Sequence, residues 1–175
     1  QKTYEKELSC AMALAKQYLA DFKVVEVPLL KNMPGITLTE EDTKTTEINE
    51  YVPNRNAVLE TQAVAYAESL KADCVVVGST GGDQICPDNS QDFIEAMQKV
   101  VEEGTMLRPV IEIKAPLIDM GKGEVVKTGL KLDVPFAKTW SCHNNLRQAC
   151  GECSNCESRL KAFELNNVKD PIQYE

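Results

Sequence analysis

The spacing of apolar and polar residues predicts helices and strands in alternation along the first part of the chain. Residues 2–20 carry apolar side chains at helical spacing with charges between them, which predicts a helix. Residues 21–30 follow as a short β-branched run that ends near Pro28, and we predict a strand there. A helix followed closely by a strand is the order that builds parallel α/β sheets.

The same order continues beyond residue 53. Residues 53–71 return to helical spacing, and their predicted apolar stripe includes Val58, Leu59, Gln62, Ala65, Tyr66 and Ser69. A continuous apolar run over 72–78 indicates a strand that is buried on both faces. We predict a further strand over 108–115 and helices over 123–132 and 154–165. A helix is also predicted over 88–103, with Asp88, Asn89 or Ser90 as its N-cap and an inward face of Phe93, Ile94, Met97, Val100 and Val101.

A long polar stretch, residues 31–53, separates these segments and is rich in Thr and Glu. In a compact domain, a connection of this length is either a lid or binding loop, or a solvated loop without a function of its own. The sequence favours neither interpretation.

Composition excludes several classes of function. The 175 residues, of which 43% are hydrophobic, suit one globular domain with room for a small appended module. A net charge of −8 argues against bulk binding of nucleic acid, and no apolar run approaches the ~20 residues that span a bilayer. Clustered thiols without a secretory leader favour the cytoplasm. Because Gln1 is not an initiator methionine, we expect the chain to be part of a longer protein.

The strongest chemical signal is a group of four cysteines within residues 140–159. Their spacing is C-x7-C-x2-C-x2-C, and they are Cys142, Cys150, Cys153 and Cys156. Short spacings bring thiolates together in tight turns, and Gly151 and Asn155 between them tolerate positive φ. Four thiolates would close the coordination sphere of one zinc ion, so we predict a structural site whose binding energy is folding energy. His143 adjoins the first cysteine, and we interpret it as a neighbour of the site.

Three other interpretations of these cysteines stay open. Ferredoxin-type iron–sulfur motifs contain a similar run, but their fourth cysteine follows downstream before a proline, whereas Cys142 lies upstream. Disulfides need an oxidising compartment and pairs, and seven cysteines is an odd number. Free cysteines of a hydrophobic core are the third alternative, which the Asn- and Gln-rich surroundings disfavour.

The segment V-P-N-R-N at residues 52–56 is suited to binding an anion. Asn54 or Asn56 can cap the helix that follows, and Arg55 adds donors to a helix N-terminus whose dipole already favours negative charge. This composition indicates a phosphate or carboxylate site. The simpler alternative is an ordinary helix cap at the surface.

A glycine-rich loop, G-S-T-G-G-D-Q-I-C-P-D at residues 78–88, follows the predicted central strand. Its glycines allow the backbone to approach a ligand closely, and Asp83 and Asp88 place two carboxylates at the carboxyl end of the strand. They would bind a metal ion, accept a proton or contact a base edge, unless they only cap a helix and close a turn. The loop matches neither the Walker pattern nor the dinucleotide-binding pattern.

Together these segments resemble a known family, the 7-cyano-7-deazaguanine synthases of queuosine biosynthesis. The resemblance rests on V-P-N-R-N, on V-V-V-G followed by G-D-x-x-x-P-D, on W-S-C, on C-G-E-C-S-N-C and on the closing K-D-P-I-Q-Y. The family is similar to the N-type ATP pyrophosphatases. The resemblance therefore implies an α/β fold with a doubly wound, mostly parallel sheet of the adenine nucleotide alpha hydrolase type and a C-terminal four-cysteine zinc knuckle.

The resemblance also implies a reaction, in which ATP and magnesium are used to convert 7-carboxy-7-deazaguanine and ammonia into the nitrile. ATP would activate the carboxylate, ammonia would give an amide, and a second activation would remove water. The implied catalytic residues are Arg55, Asp83 and Asp88. The implied substrate-binding residues are Asn54, Arg55, Asn56, Gly78, Gly82, Asp83 and Asp88. Of these, Asp83 and Asp88 would contact the deazaguanine edge or help to hold magnesium, while the four clustered cysteines would hold zinc in a homodimeric protein.

Two departures from the family pattern add to the predictions. The family's nucleotide loop, S-G-G-x-D-S, is not in this chain, so we expect the chain alone to be inactive. Where the family often has P-D-C or Y-P-D-C-R, this chain has Asn89 and Ser90 after Asp88. A non-catalytic or repurposed zinc-stabilised module that binds a deazapurine or a partner is therefore an alternative. We predict an α/β domain over 1–136 and a zinc-knuckle module with the final helix over 137–175.

Overall fold

A computed structural model describes residues 3–31, 33, 36, 51–81, 86–145 and 147–175. Its helices are α1 (Tyr4–Gln17), α2 (Pro28–Lys31), α3 (Arg55–Leu70), α4 (Gln91–Gly104), α5 (Lys122–Lys131) and α6 (Ser154–Glu164), with a 3₁₀ turn at Phe136–Lys138. The strands are β1 (Cys74–Val76) and β2 (Glu112–Lys114). None of these described helices has both the length and the apolar composition that crossing a membrane requires.

The chain divides into two compact units. Unit 1 comprises residues 1–52 and 122–175, and unit 2 comprises residues 53–121. The boundary predicted between residues 136 and 137 stays a prediction.

Unit 2 is a parallel strand pair with two helices packed against one face. β1 and β2 pair with Val75 opposite Ile113, while α3 contacts β1 and α4 contacts β2. The core between them consists of Val64, Ala67, Val75, Ile94, Met97, Val101, Ile111 and Ile113. The predicted α/β class and the parallel pairing are confirmed, and the doubly wound arrangement stays a prediction.

Helix α4 begins and packs largely as its sequence predicts. Ser90 is the N-cap, and its hydroxyl accepts the backbone N–H of Phe93 at 3.2 Å. Val100, predicted to face inward, is 54% exposed. The side chain of Gln98 holds the helix against β2, because its amide donates to the carbonyl of Ile111 at 3.2 Å and accepts the N–H of Ile113 at 2.8 Å.

The strand predicted over residues 21–30 is wrong. Residues 20–27 have no regular secondary structure, and Pro28 begins the short helix α2. The side chains of Val24 and Val25 are 54% and 56% exposed. A β-branched run forms a strand only where a neighbouring strand takes up its backbone hydrogen bonds, and no described residue pairs with this segment.

Two predictions of burial in unit 2 are also wrong. Val76 is 62% exposed, because α3 and α4 both pack on the opposite face of the sheet, the face of Val75. On α3, the predicted Leu59 and Tyr66 are 44% and 46% exposed. The residues that α3 buries are instead Glu60, Val64 and Ala67. The apolar residues of α3 occur on all sides of the helix, so its sequence pattern defines no single inward face.

Unit 1 contains a helix pair that supports the cysteine-rich segment. α5 packs against α6 around a small core of Val126, Leu130, Phe136, Ala162 and Phe163. The rings of Phe136 and Phe163 meet edge to face with their centroids 5.1 Å apart. Gly129 permits this packing, because a Cβ atom there would overlap the Phe136 ring. The pair fixes α6, which begins within the cysteine cluster as predicted.

Candidate metal centre and ligand-binding loops

Four cysteine sulfurs converge in unit 1. The Sγ atoms of Cys142, Cys150, Cys153 and Cys156 all lie within 4.8 Å of one another. The distance from Cys142 Sγ to Cys150 Sγ is 3.6 Å, and that from Cys150 Sγ to Cys156 Sγ is 3.9 Å. Four sulfurs at a Zn–S distance of about 2.3 Å form a tetrahedron with edges of about 3.8 Å. The observed spacing therefore fits a tetrahedral metal site.

Local sequence features bring the sulfurs together. Trp140 donates its indole N–H to the carbonyl of Cys142 at 3.0 Å, which holds the W-S-C segment in a turn. Gly151 has a φ of 75° and reverses the chain between the second and third cysteines, as predicted. Cys153 is the N-cap of α6 and Cys156 lies in its first turn, where the helix dipole favours thiolates. Asn155 lies in the first turn of α6 and has helical geometry, so the positive φ expected for it alongside Gly151 is wrong.

Backbone N–H groups stabilise negative charge on the first sulfur. Three of them donate to Cys142 Sγ at 3.4 Å, those of Asn144, Asn145 and Cys150. A hydrogen bond with the Cys153 thiol contributes most, and together these groups lower the pKa of Cys142 to about 4 against the opposing effect of burial. Burial raises the pKa of Cys156 to about 12. The buried thiols would release their protons when a metal ion binds.

The geometry distinguishes this site from two of the alternatives. No disulfide joins the four clustered cysteines, and a Cys142–Cys150 separation of 3.6 Å is far beyond the ~2.05 Å of a disulfide bond. Convergence of four sulfurs also distinguishes the cluster from scattered core cysteines. An iron–sulfur centre would use the same thiolates. His143 lies beside the cluster, with its Nδ1 atom 3.3 Å from Asn155 Nδ2.

A buried ion pair links the end of the chain to the metal centre. Arg159 Nε donates to Asp170 Oδ2 at 2.6 Å, and the two side chains are 8% and 2% exposed. The Tyr174 hydroxyl donates to the same oxygen at 2.6 Å, and Tyr174 packs against the cysteine cluster. Burial raises the pKa of Asp170, but the bonds from Arg159 and Tyr174 outweigh it and lower the pKa overall. Asp170 therefore stays ionised and holds Tyr174 beside the sulfurs.

In unit 2, Asp88 holds Asn56 of the V-P-N-R-N segment in the first turn of α3. Asp88 Oδ2 accepts the backbone N–H of Asn56 at 2.8 Å, and the Asn56 side chain donates to the Asp88 carbonyl at 2.8 Å. Asn54 occupies the N-cap position with a φ of 55° but forms no side-chain cap bond within the described residues, so its predicted capping role is wrong. Arg55 is the first residue of the helix and is half-buried. The structure thus brings together Asn54, Arg55, Asn56 and Asp88.

The glycine-rich loop is described only in part, and Gly82 and Asp83 lie outside the described residues. Gly81 donates its N–H to the carbonyl of Met120 at 3.1 Å, and a Cβ atom there would clash with the carbonyl of Ile118. Close backbone packing therefore requires glycine at this position. At Gly78, the described residues leave open space where a Cβ atom would lie.

A buried carboxylate near Asp88 was missed by the sequence analysis. Glu60 lies one helical turn after Asn56, is 5% exposed, and its Oε2 atom has no hydrogen-bond partner among the described residues. Burial and, to a smaller extent, the charge of Asp88 raise the pKa of Glu60 to about 7. The signal in the sequence was its i+4 spacing from Asn56, which places both on one face of α3.

Replacing Glu60 by glutamine is expected to remove a pH dependence from the stability of unit 2. Since the pKa of Glu60 rises from 4.5 in the unfolded chain to about 7 in the folded one, its contribution is complete below pH ~4.5 and is lost as the pH rises towards 7. At about 1.4 kcal/mol per pKa unit, the free energy of unfolding of Glu60→Gln should rise by on the order of 2–3 kcal/mol relative to that of the wild type as the pH rises across this range. Urea unfolding between pH ~5 and ~8 measures the difference.

The matched control is Glu103→Gln, which makes the same substitution at an exposed residue of α4, away from the buried carboxylate. A constant difference for Glu60→Gln over the same pH range would contradict the assignment.

Comparison with known proteins gives one consistent result. The family model for the queuosine biosynthesis protein QueC matches residues 1–167. The chain is 37% identical to a 7-cyano-7-deazaguanine synthase of Oceanobacillus iheyensis over 180 residues, which cover 98% of this chain and 81% of that protein. It is 38% identical to a protein of the same name from Chlorobium phaeobacteroides, over 100% of this chain and 82% of that protein. It is also 38% identical to a protein of the same name from Methanoculleus marisnigri, over 100% of this chain and 83% of that protein.

Proposed function

Because the chain belongs to the QueC family of queuosine biosynthesis proteins, we propose that it forms 7-cyano-7-deazaguanine from 7-carboxy-7-deazaguanine and ammonia with ATP and magnesium. The observation that carries this proposal is the family match over residues 1–167, which include V-P-N-R-N and all four clustered cysteines. The relatives carry the name of a synthase, so they do not favour the alternative of a non-catalytic or repurposed binding module.

Zinc is the metal ion that the four clustered cysteines would hold. Four thiolates suit its preference for sulfur, and the sulfur spacing suits its tetrahedral geometry. With four protein ligands the ion has no open position for a substrate. Its contribution would be structural: it would fix the W-S-C segment relative to the start of α6.

The reacting molecules would bind at the loops around the start of α3. The proposed substrate-binding residues are Asn54, Arg55, Asn56, Gly78, Gly82, Asp83 and Asp88. Support comes from Arg55 at a helix N-terminus, where the guanidinium and the dipole both favour a phosphate or carboxylate. Asp88 uses its carboxylate to hold the Asn56 N–H, which favours a positioning role over direct contact with the reacting atoms. Arg55 and Asp83 are the other two residues proposed as catalytic, and Asp83 would contact the deazaguanine edge or help to hold magnesium.

The proposed reaction replaces both carboxylate oxygens by one nitrogen. ATP supplies an activating group to the first oxygen, which then leaves as ammonia attacks the carbon and forms an amide. A second ATP activates the amide oxygen, which leaves on the transferred group, and loss of the two N–H protons completes the nitrile. Arg55 would stabilise negative charge on the oxygens that leave, in the manner of a preorganised donor, and magnesium would neutralise phosphate charge.

The proposal is tested with the zinc-loaded, natural full-length protein. It should consume ATP only when 7-carboxy-7-deazaguanine and ammonium are present, and mass spectrometry should detect the nitrile. Arg55→Gln is expected to lower kcat/KM by roughly 10²–10³, the effect of removing one donor to a developing charge. Arg147→Gln, which removes an exposed arginine, is the matched control. Absence of both ATP consumption and nitrile in the wild type would contradict the proposed function.

We also propose that the enzyme works in the cytoplasm as a homodimer on small-molecule substrates. Four metal-binding thiolates suit a reducing compartment, and a net charge of −8 disfavours bulk binding of nucleic acid. A monomer mass in analytical ultracentrifugation at micromolar concentration would contradict the homodimer.

A further inference from the structure

The metal centre is covered on one side by residues 170–175, a segment that we call the strap. Three of the four clustered cysteines are at most 4% exposed. Two side chains of the strap, those of Ile172 and Tyr174, pack against this cluster. The shell of side chains around a metal site controls which molecules can reach its ligands. A molecule that takes up the metal ion must therefore pass the strap or another part of this cover.

Backbone hydrogen bonds fasten the strap to the cysteine-rich segment. The N–H of Ala149 donates to the carbonyl of Gln173 at 3.0 Å, and the N–H of Glu175 donates to the carbonyl of Ala149 at 2.9 Å. These two bonds form a parallel bridge between Ala149 and Tyr174. Ala149 is buried and directly precedes Cys150, so the bridge joins the strap to the chain beside a metal-binding cysteine.

The carboxylate of Asp170 fastens the strap at its other end. Its Oδ1 atom accepts the backbone N–H of Ile172 at 3.2 Å, and its Oδ2 atom accepts the hydroxyl of Tyr174 at 2.6 Å. Arg159 donates to both carboxylate oxygens, at 3.0 Å and 2.6 Å. Because Arg159 belongs to α6, the strap is anchored to the same helix that carries Cys156.

The strap can detach without disrupting the core of unit 1. Its side chains alternate, since Ile172 and Tyr174 are half-buried while Pro171, Gln173 and Glu175 are exposed. Within the part of the chain that the structure describes, a single bridge pairs its backbone, so detachment breaks few backbone bonds. The core between α5 and α6 contains no residue of the strap. Segments with few buried contacts open at a lower free energy than that of global unfolding.

We propose that the strap is the gate of the metal centre, through which a zinc ion enters and leaves while the rest of unit 1 stays folded. The inference rests on the zinc ion proposed above and is independent of the proposed reaction. When Tyr174 moves away from the cluster, a chelator or a free thiolate can donate a lone pair to the metal ion as a cysteine thiolate dissociates. One donor atom replaces each departing sulfur, so the exchange needs no oxidant or reductant. The rate of zinc exchange then follows the opening of the strap.

Zinc transfer from the zinc-loaded, natural full-length protein to the colorimetric chelator pyridylazoresorcinol tests the gate. Tyr174→Ala removes both the ring and the hydroxyl bond to Asp170, and should accelerate transfer by roughly 10- to 100-fold. Tyr174→Phe keeps the ring and loses only the hydroxyl bond, so it supplies the same test with a smaller increase if Tyr174→Ala does not hold zinc. Urea should accelerate transfer from the wild type much less than it accelerates global unfolding, because a local opening exposes little surface.

The matched control is Tyr18→Ala, which removes a tyrosine of unit 1 that is 58% exposed and lies outside the strap. This variant should release zinc at the wild-type rate. Equal transfer rates for Tyr174→Ala and Tyr18→Ala would overturn the inference. Transfer from the wild type with the urea dependence of global unfolding would also overturn it.

The outcomes for the gate and for the proposed function can be told apart. Nitrile formation together with equal transfer rates in the two alanine variants would reject the gate and keep the function. Faster transfer from Tyr174→Ala without nitrile formation would keep the gate and reject the function. A wild-type protein that binds no zinc would reject the gate whether or not the nitrile forms.

Discussion

Replacing Cys153 by serine is expected to release the zinc ion and to abolish cooperative unfolding of the residues around the metal centre. Structural zinc sites contribute roughly 10–16 kcal/mol, which is comparable to the total stability of about 5–15 kcal/mol of a whole protein. Cys153 is 4% exposed and occupies the N-cap position of α6, so its replacement removes a buried metal ligand at the start of that helix. Elemental mass spectrometry measures the zinc content, and near-ultraviolet circular dichroism measures the loss of cooperative unfolding.

The matched control is Cys10→Ser, which makes the same change in unit 1 outside the converging sulfurs. It should keep one zinc ion per chain and an unfolding transition close to that of the wild type. Full zinc content in Cys153→Ser, or equal loss in both variants, would contradict a four-cysteine site.

The second large effect is expected at the buried ion pair. Arg159→Met should lower the free energy of unfolding of unit 1 by about 3–5 kcal/mol, because it leaves the Asp170 carboxylate charged, buried and without its main partner. The same substitution removes the bonds from Arg159 to Thr139 Oγ1 at 2.8 Å and to the Phe136 carbonyl at 3.2 Å. Urea unfolding followed by circular dichroism measures the change.

An exposed ion pair of the chain provides the comparison. Lys114 Nζ lies 3.1 Å from Glu112 Oε2, and the side chains of Glu112 and Lys114 are 64% and 49% exposed. Glu112→Gln removes this ion pair and should change the free energy of unfolding by less than about 1 kcal/mol. The double variant Arg159→Met with Asp170→Leu should recover part of the loss, because no buried charge is left unpaired. A loss below about 1 kcal/mol in Arg159→Met would show that the pair does not support the metal centre.

Features that depend on neighbours in sequence were predictable. The four cysteines lie within fifteen residues, so short turns alone bring their sulfurs together, and Gly151 shows the positive φ that such a turn requires. Ser90 caps α4 through a bond to a residue three positions away. In both cases the controlling interaction lies within a few residues of its position.

Features that depend on distant residues were not predictable in the same way. Residues 21–30 have the composition of a strand but no described strand beside them, and composition alone does not supply one. Asp88 holds the start of α3 from 32 positions away, while the local candidates Asn54 and Asn56 do not cap it. Arg159 resembles any charge on a helix until its bond to Asp170 is known. The family resemblance compensated for part of this, because it joined segments that are far apart in sequence.

The central claim is that four sulfurs close around a single zinc ion and thereby fix the segment that carries Trp140. X-ray absorption at the zinc edge of the purified full-length protein tests it most directly. The account predicts one zinc ion per chain with four sulfur neighbours at about 2.3 Å. A zinc ion with fewer than four sulfur neighbours, or a coloured protein that contains iron in place of zinc, would contradict it.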